Sequence, residues 1–299
     1  MGINNIQQNQ CAIRVRYRSR VPSPTLLSYV AANLERSVPE LEREPGRPEI
    51  LIVAAGGPSL AGTLSDIQVA QAQGARILAV NEVPHLLVRH GIRPWGAIYV
   101  GPVDLTLRSI GTPIAGVRYF IGSTCPPDVL VRLQGHDAVL WHPEVDGMID
   151  AMRSVGVCPR TGFIGGGRTV ALHGLSVGAI LGFHTIHLHG GDSSFQSSGR
   201  VHAYSSVSDA EGYDELAVHA GEQPFATTPE LLGQALAFPA LRARLAGEGI
   251  EVVVHGKGLL PFREARRRAN GTEPPIMVAA DCGLPLAADG VAEVEAQMF

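Results

Sequence analysis

The sequence predicts a doubly wound α/β fold, in which a mainly parallel sheet is covered by helices on both faces. Short, β-branched apolar runs alternate with helical stretches along the chain, and this β-α-β rhythm is typical of such folds. Several runs are apolar at nearly every position, as strands are when both faces of a parallel sheet are buried. Glycine-rich turns follow two of the runs. Together these observations indicate a Rossmann-like architecture with a ligand crevice at the carboxyl ends of the strands.

Seven apolar runs are predicted as strands of this sheet. They are Glu49–Ala55, Arg76–Val80, Trp95–Val100, Val117–Ile121, Asp137–Trp141, Thr185–His189 and Ile250–His255. Intervening and later stretches are predicted as helices. These are Ser59–Gln73, Val83–His90, Asp128–Gln134, Arg168–Leu181 and Pro229–Ala246.

The chain is predicted to have three parts. Residues 1–47 contain an arm and one helix, Pro24–Ser37. Residues 48–262 form the Rossmann-like nucleotide-binding catalytic domain. The run after Phe262 is polar and turn-rich, so residues 263–299 are predicted to be a separate C-terminal extension.

Composition restricts the classes of function. The net charge of −4 provides no global basic field for nucleic acid, and the alternating arginines from Arg14 to Arg20 are interpreted as an edge strand or a tail. The four cysteines form no C-x-x-C pair, which argues against a cysteine zinc site or a disulfide framework. No apolar run reaches the roughly 18–20 residues of a membrane span, and the first ten residues lack a signal-peptide pattern. A cytoplasmic location is therefore expected.

The turn after the first core strand predicts a phosphate site. Gly56 and Gly57 allow backbone close to a ligand, Pro58 suits a first helical turn, and Ser59 offers a hydroxyl group. The N–H groups and dipole of such a helix terminus favour phosphate, with a simple tight turn as the alternative. The G-x-G-x-x-G spacing is absent, which disfavours NAD and FAD. Because Lys257 is the only lysine, P-loop chemistry is excluded.

A second phosphate cradle is predicted before the fourth helix. Three consecutive glycines, Gly165, Gly166 and Gly167, stand before it, and such a run is costly unless backbone must approach something closely. Thr169 and Arg168 are the side-chain donors in this interpretation. A flexible surface loop is the alternative.

Polar groups near two more strand ends complete the predicted site. Asn81 follows the second core strand, where its amide can bind a base or ribose or cap the next helix. Gly190 and Asp192 follow another strand, and a carboxylate there faces the crevice, where it can bind a sugar hydroxyl, a metal or a reacting proton. His202 is interpreted as a general base, with a solvated loop histidine as the alternative. Tyr204 follows it closely.

The histidines of one strand suggest a metal cluster that we do not predict. His187 and His189 share a strand face, and His184 and Asp192 lie nearby in sequence. No established zinc spacing supports the cluster, so these histidines are interpreted as structural and no metal ligand is predicted. A serine-hydrolase function is excluded because the chain has no G-x-S-x-G elbow.

Four stretches, in their order and spacing, resemble one known superfamily. They are LIVAAGGPSL, ILAVNEVPHLLVRHGIRPWGAIYVGPVD, TGFIGGGRTVALHGLSVGAILGFHTIHLHGGDSSF and HAY, and they span roughly residues 50–204. The superfamily comprises the Maf flagellin glycosyltransferases, the archaeal 6-hydroxymethylpterin diphosphokinases of MptE-like type and, more distantly, bacterial sialyltransferases of the Campylobacter kind.

The resemblance implies roles for matching residues. In the sialyltransferase-like members, the G-x-P-S-L turn and the asparagine after the second strand hold the cytidine nucleotide. The matching residues here are Gly57, Pro58, Ser59 and Asn81; the later glycine turn matches at Gly166, Gly167 and Thr169, and the strand tip at Gly190 and Asp192.

The resemblance also implies catalytic roles, with two departures. Those enzymes use tyrosines to stabilise the leaving phosphate and a histidine as base toward the acceptor hydroxyl, roles that fall here to Tyr204 and His202. Phe195 stands where a tyrosine is expected. His202 also lies closer to the Asp192 motif than the base does in the family.

The predicted function is a glycosyltransferase-like enzyme with a CMP-linked sugar as donor and an unknown hydroxyl acceptor. His202 deprotonates that hydroxyl, and no cofactor is required. Valine at Gly57 or Gly166 is predicted to weaken nucleotide binding with the fold kept. No membrane or nucleic-acid partner is expected, and the presence of a homo-oligomer is left open.

Two alternatives are retained. One is an MptE-like pyrophosphokinase that transfers diphosphate from ATP to a pterin alcohol, with Mg²⁺ held by Asp104 and Asp192. In this alternative, Arg93, Arg108 and Arg168 offset the negative charge of the phosphates. The other alternative is a non-catalytic nucleotide-binding protein.

Overall fold

A computed structural model describes residues 10–19, 21, 23–145, 147–167, 169–196, 199, 201–204, 214–280 and 282–298. It confirms the predicted doubly wound α/β fold. A seven-stranded sheet, in which every neighbouring pair is parallel, is flanked by helices. A second sheet has five strands, which come from residues 10–19, 216–227 and 276–298 of the chain.

The strands are numbered along the chain. They are β1 Gln10–Ser19, β2 Leu51–Ala54, β3 Arg76–Val80, β4 Gly96–Tyr99, β5 Arg118–Gly122, β6 Ala138–Trp141, β7 Thr185–His189, β8 Leu216–Ala220, β9 Gln223–Thr227, β10 Glu251–Val254, β11 Ile276–Ala279 and β12 Ala292–Met298. All seven predicted strands are confirmed as members of the parallel sheet.

The helices are α1 Ser23–Leu34, α2 Leu64–Ala72, α3 Val83–Arg89, α4 Asp104–Ile110, α5 Asp128–Arg132, α6 Ile149–Ser154, α7 Val170–Ile180, α8 Pro229–Gly247 and α9 Leu259–Asn270. A 3₁₀ helix, Pro58–Thr63, leads directly into α2. The helices α4, α6 and α9 were not predicted. Within the described part of the chain, no helix combines the length and apolarity that crossing a membrane requires.

The order of the parallel sheet creates a switch point beside β2. The order is β10-β7-β2-β3-β4-β5-β6, so the chain runs outward from β2 to β6 and then returns to place β7 on the other side of β2. Open α/β sheets bind ligands beyond the carboxyl ends of their strands where this reversal occurs. The two predicted turns after β2 and β7 therefore meet at the position that the topology favours for a ligand.

Both faces of the parallel sheet are buried, as the continuous apolar runs predict. Alternate residues of a strand point to opposite faces. In β2, Leu51 and Val53 pack in the cluster that contains Leu175 of α7, whereas Ile52 packs with Ile67 of α2. The helix α7 is buried at every position after its first residue, so its N-terminus is held firmly at the edge of the sheet.

The second sheet corrects the interpretation of the N-terminal arm. Its order is β12-β1-β11-β8-β9, so β1 is an interior strand rather than an edge strand or a loose tail. Carboxylates on or beside β12 pair with the alternating arginines. The pairs are Arg14 with Asp289 at 2.9 Å, Arg16 with Glu293 at 2.8 Å and Arg18 with Glu295 at 2.9 Å. The arm therefore presents neutralised ion pairs and not a free basic patch.

The segment after Phe262, expected to be turn-rich, is helical as far as Asn270 because α9 runs through it. Buried ion pairs explain how its charges are accommodated. Glu273 accepts from Arg242 at 2.8 Å and from Arg263 at 2.9 Å, and Glu264 also pairs with Arg242. The three-part division at residues 47 and 262 stays a prediction.

Candidate functional site

A cleft of about 130 Å³ opens at the switch point. Its walls come from the turns after β2, β3 and β7, the N-terminus of α7, the segment 201–204 and the first turns of α8. The lining residues are Ala55, Gly56, Gly57, Val80, Asn81, Thr169, Val170, Ala171, Gly190, Asp192, Ser193, Ser194, Val201, His202, Tyr204, Leu231 and Gln234.

The fold brings eight of the twelve predicted site residues to this cleft. They are Gly56, Gly57, Asn81, Thr169, Gly190, Asp192, His202 and Tyr204. The other four, Pro58, Ser59, Gly166 and Gly167, are not among its lining residues. The contacts that these residues make within the protein explain why they occur next to lining residues in the sequence.

The turn after β2 is bound by the turn after β7. The Gly57 N–H donates to the Gly190 carbonyl at 2.9 Å. The Ser59 N–H donates to Oδ2 of Asp192 at 2.6 Å, and the Ser59 hydroxyl donates to Oδ1. Pro58 has no N–H. The N–H group at the start of the 3₁₀ helix, that of Ser59, is therefore bound by the carboxylate of Asp192 and not by a ligand anion.

Close packing explains why residue 57 is a glycine. Its φ of −60° and ψ of 156° are accessible to any residue. A Cβ atom there would collide with the Gly190 carbonyl oxygen and lie 2.8 Å from Oδ2 of Asp192. A side chain at Gly57 therefore points into the neighbouring turn, and we expect valine there to disturb the fold as well as the cleft. The expectation that such a variant keeps its fold is revised on this ground.

Asp192 is a buried carboxyl group that titrates near neutrality. Its side chain is only 2% exposed, and burial raises its pKa to about 6, against the two hydrogen bonds from Ser59, which lower it. A carboxyl group with such a pKa in a cleft is characteristic of functional sites. Since both of its oxygens accept from Ser59, however, its first role in this structure is to join the two turns.

Asn81 lies at the cleft in a strained backbone conformation. Asn81 and Ser193, with φ of 51° and 56°, are the non-glycine residues with positive φ in the described chain, and both line the cleft. Such conformations cluster at functional sites. The N-cap of α3 is Glu82, so Asn81 does not cap that helix as the alternative interpretation proposed. No hydrogen bond from the Asn81 side chain is present within the described part of the chain.

The second glycine turn presents the start of α7 to the cleft. Thr169 is the N-cap residue of α7, and Val170 and Ala171 of its first turn line the cleft. The first N–H groups of an α-helix lack intrahelical acceptors, and with the helix dipole they attract anions. A Cβ atom at Gly166 would lie 2.5 Å from Cα and 2.6 Å from N of His173. Gly166, like Gly57, is therefore required for packing.

A buried amide that sequence reasoning missed ties these elements together. The Thr169 hydroxyl donates to Oε1 of Gln234 at 2.6 Å, and Nε2 of Gln234 donates to the Ser193 hydroxyl at 2.8 Å. Gln234 lies on α8 and is only 4% exposed. The signal that identifies it in the sequence is a single amide among the apolar residues of a predicted helix.

The segment 201–204 lies on the first glycine turn. The Ala203 N–H donates to the Gly56 carbonyl at 3.0 Å, and a Cβ atom at Gly56 would lie 2.6 Å from the Tyr204 hydroxyl. The rings of His202 and Tyr204 are 5.5 Å apart between centroids. The predicted base and phenol therefore stand side by side at the mouth of the cleft. Phe195 does not line it.

The histidines of β7 form a cluster with a different partner from those considered in the sequence. His187 and His189 lie beside His255, which follows β10. His184 is exposed at the other end of β7, and Asp192 is bound to Ser59, so neither joins them. His255 was missed, although it ends a predicted strand and begins a Gly-x-Gly turn (Gly256–Gly258) like those at the cleft.

The charge of the cleft is low among the described residues. Asp192 is the one carboxylate that lines it there, and neither lysine nor arginine does. The residues considered for a metal–triphosphate site, Asp104, Arg93 and Arg108, do not line it. Arg168 lies outside the described residues.

Comparison with known proteins supports the predicted resemblance to the MptE-like and Maf proteins, whereas the more distant resemblance to sialyltransferases stays a prediction. The 6-hydroxymethylpterin diphosphokinase MptE-like family matches residues 25–198, more than half of the chain. No curated protein sequence matches. Among solved structures, a Maf glycosyltransferase from Magnetospirillum magneticum AMB-1 has a similar fold, with a TM-score of 0.54 at 14% identity. The match covers 85% of this chain but only 42% of that protein. The family match over more than half of the chain shows that the chain belongs to the 6-hydroxymethylpterin diphosphokinase MptE-like family.

Proposed function

We propose that the protein is a transferase of the glycosyltransferase type, which uses a nucleotide-activated sugar, CMP-linked, as its donor. The observation that supports this most strongly is the cleft at the switch point, where Asn81, the N-terminus of α7 and His202 converge on one small volume. Topology places nucleotides at this position in open α/β sheets.

The charge of the cleft favours a donor with one phosphate. A CMP-linked sugar carries a single anionic phosphodiester, which the first N–H groups of α7 can bind through Val170 and Ala171. Transfer from ATP instead requires Mg²⁺, with carboxylates to hold it and cations to offset the triphosphate. Among the described lining residues, only Asp192 is acidic and none is lysine or arginine.

The proposed reaction is an inverting sugar transfer. The imidazole of His202 takes the proton of the acceptor hydroxyl as its oxygen attacks the anomeric carbon of the donor. The bond between that carbon and the phosphate oxygen breaks, and CMP departs. The N–H groups of α7 and the phenol of Tyr204 stabilise the charge that develops on the leaving phosphate.

A pyrophosphokinase is the second candidate, and the family match favours it. In this case diphosphate moves from ATP to a pterin alcohol with Mg²⁺ bound. Asp192 is the carboxylate best placed to contact such an ion, but it would have to leave Ser59, to which both its oxygens are bonded.

Nucleotide binding and product analysis together test the proposal. Thermal stability is measured with CMP, CTP and ATP, with and without Mg²⁺, followed by turnover of a CMP-sugar and of ATP with a pterin alcohol. CMP stabilisation with sugar transfer that survives EDTA supports the proposal. Turnover of ATP that EDTA abolishes and Mg²⁺ restores establishes the second candidate, and binding without either product indicates a non-catalytic nucleotide-binding protein.

Asn81→Gly provides a matched variant for the nucleotide site. Glycine adopts the positive φ of residue 81 without strain and removes only the amide. We expect weaker CMP binding with unchanged thermal stability. The control is Asn33→Gln on α1, a buried asparagine whose amide donates to the Ser123 and Cys125 carbonyls. None of these three residues lines the cleft, so stability and not CMP affinity should change.

A further inference from the structure

Three histidine rings lie together at one edge of the parallel sheet. His187 and His189 share one face of β7, and the parallel register places His255 of the neighbouring strand end beside them. Nε2 of His255 lies 3.1 Å from Nδ1 of His187. The rings of His189 and His255 are stacked with centroids 4.3 Å apart. Each ring offers one nitrogen, and these three nitrogens lie within 4.8 Å of one another.

One nitrogen of the cluster has no partner of its own in the described chain. Nδ1 of His189 is buried and makes no hydrogen bond to a described residue, and the His189 side chain is only 3% exposed. An unsatisfied buried polar atom costs about 1–3 kcal/mol. Most buried polar side-chain atoms in proteins have a hydrogen-bond partner, so a buried nitrogen without one requires an explanation.

Burial also disfavours the protonated form of these rings. Burial, together with the two neighbouring histidines, lowers the pKa of His189 to about 3. Burial lowers the pKa of His187 and, together with the neighbouring His187, that of His255; the Arg268 guanidinium lowers both pKa values, whereas Glu251 and Asp66 respectively raise them. Neutral imidazoles present lone pairs at physiological pH, as metal ligands must.

We propose that His187, His189 and His255 form a three-histidine site for a divalent transition metal, of which Zn²⁺ is the representative ion. Zinc–nitrogen bonds of about 2.0–2.1 Å in a tetrahedral site place two ligand nitrogens about 3.3 Å apart. His255 and His187, whose nitrogens share a hydrogen bond of 3.1 Å, are already near that separation, and a metal would replace this hydrogen bond. The His189 nitrogen lies within 4.8 Å of the others and would have to come closer to complete the site. Water completes the coordination, because three protein ligands leave one position open.

The metal ties the edge strand to the loops beneath the cleft. His255 begins the turn that includes Gly256 and Gly258, and this turn packs directly against Ser59 and Asp192. A metal bridge between β7 and His255 therefore stabilises the contact between the glycine turns. None of the three histidines lines the cleft, so the site is independent of the proposed function and stands or fails apart from it.

The test uses the full chain without a polyhistidine tag. The protein is cleared of metal with a chelator and titrated with Zn²⁺, Co²⁺ and Mg²⁺ by calorimetry, thermal shift and, for Co²⁺, visible absorption. We expect one Zn²⁺ per chain, a rise in Tm, and Co²⁺ bands typical of a tetrahedral site. Mg²⁺, which prefers oxygen ligands, should produce none of these. Absence of stoichiometric Zn²⁺ binding overturns the proposal.

Variants locate the site within the chain. Loss of an outer-shell partner alone weakens metal affinity about 10–100-fold, so we expect His187→Gln or His255→Gln to weaken Zn²⁺ binding more than about 100-fold. Both rings are half-buried, so these variants keep the test valid if His189→Gln does not fold. His184→Gln, which directly precedes the same strand and lies outside the cluster, is the control. Zn²⁺ binding that survives His187→Gln and His255→Gln, or that is lost in His184→Gln, contradicts the assignment.

Discussion

The two glycine-rich turns look alike in the sequence but differ in what binds their N–H groups. After β2, the Gly57 and Ser59 N–H groups are bonded to the turn after β7, and Asp192 supplies the carboxylate. Before α7, Val170 and Ala171 of the first helical turn line the cleft, and the first N–H groups of a helix have no intrahelical acceptor. The same sequence signature therefore accompanies a turn that is closed by the protein and a helix terminus that lines the cleft.

Because of this difference, we propose different roles for the two turns. The first turn acts as a platform, because Gly56 carries the segment with His202 and Tyr204. The second turn supplies the position for the phosphate. A glycine motif thus identifies where backbone packs closely, and only the partners of its N–H groups show whether an anion site is free.

The largest expected effect concerns the segment on the first turn. General-base catalysis contributes about 10²–10⁴-fold, so His202→Gln should lower kcat by about that factor and leave nucleotide affinity nearly unchanged. The rate of the wild type should fall at acidic pH, and this limb should disappear in the variant. Steady-state kinetics against pH measure both, with Tyr204→Phe as the control that lowers the rate and keeps the limb. Near-full turnover of His202→Gln would show that another residue is the general base, and Asp192 would be the next candidate.

The next effect tests whether both glycines serve packing. Gly57→Ala and Gly166→Ala should each lower the free energy of unfolding by about 3 kcal/mol, the upper end of the usual effect of overpacking, because the added Cβ meets backbone atoms. Gly62→Ala is the matched control, since a Cβ there has no neighbour within 4 Å. Urea denaturation measures the difference. Full stability with weakened nucleotide binding would restore the simpler interpretation of both turns as ligand cradles.

How much the sequence predicts differs between the sheets. The parallel sheet was predictable because strands such as β2 are buried on both faces and are continuously apolar. The second sheet was not, since β1 pairs with β12 across almost the whole chain and its alternating arginines resemble a solvated tail. Pairing with β11 on one side and β12 on the other makes β1 an interior strand, which the sequence of β1 alone does not show.

The site was predictable where it depends on strand ends. Asn81 and Asp192 were identified because parallel strands end at a common edge. Gln234 and His255 were missed because each comes from an element that the fold brings from far along the chain, and neither belongs to a recognised motif. The use of Ser59 as a partner of Asp192, rather than of a ligand, also required the structure.

An intermediate effect tests Asp192, the carboxylate of the turn after β7 that binds the first turn. Folding raises the pKa of Asp192 to about 6, so the folded state binds its proton more tightly than the unfolded state does. Stability from this group is present at low pH and is lost as pH rises through 6. Relative to Asp192→Asn, the wild type should lose about 2–3 kcal/mol of unfolding free energy between pH 4 and pH 7. A difference that does not vary with pH would show that Asp192 is not buried as described.

The smallest effect concerns the second turn. Thr169→Val removes the hydroxyl that donates to Gln234 and disturbs the start of α7, so nucleotide affinity should fall about 5–10-fold, the equivalent of about one hydrogen bond. The free energy of unfolding should also fall, by about 1–3 kcal/mol, because Oε1 of the buried Gln234 loses its donor. Calorimetry compares it with Thr161→Val, outside the cleft. Equal affinities for both variants would remove Thr169 from the site.

A structure of the protein with CMP bound tests the central claim most directly. The account predicts that a phosphate oxygen lies about 2.7–3.2 Å from the N–H of Val170 or Ala171, with the cytidine near Asn81 and the Asp192 carboxylate still bonded to Ser59. A phosphate that instead displaces Asp192 and binds the Gly57 and Ser59 N–H groups, or that lies outside the cleft, would contradict it.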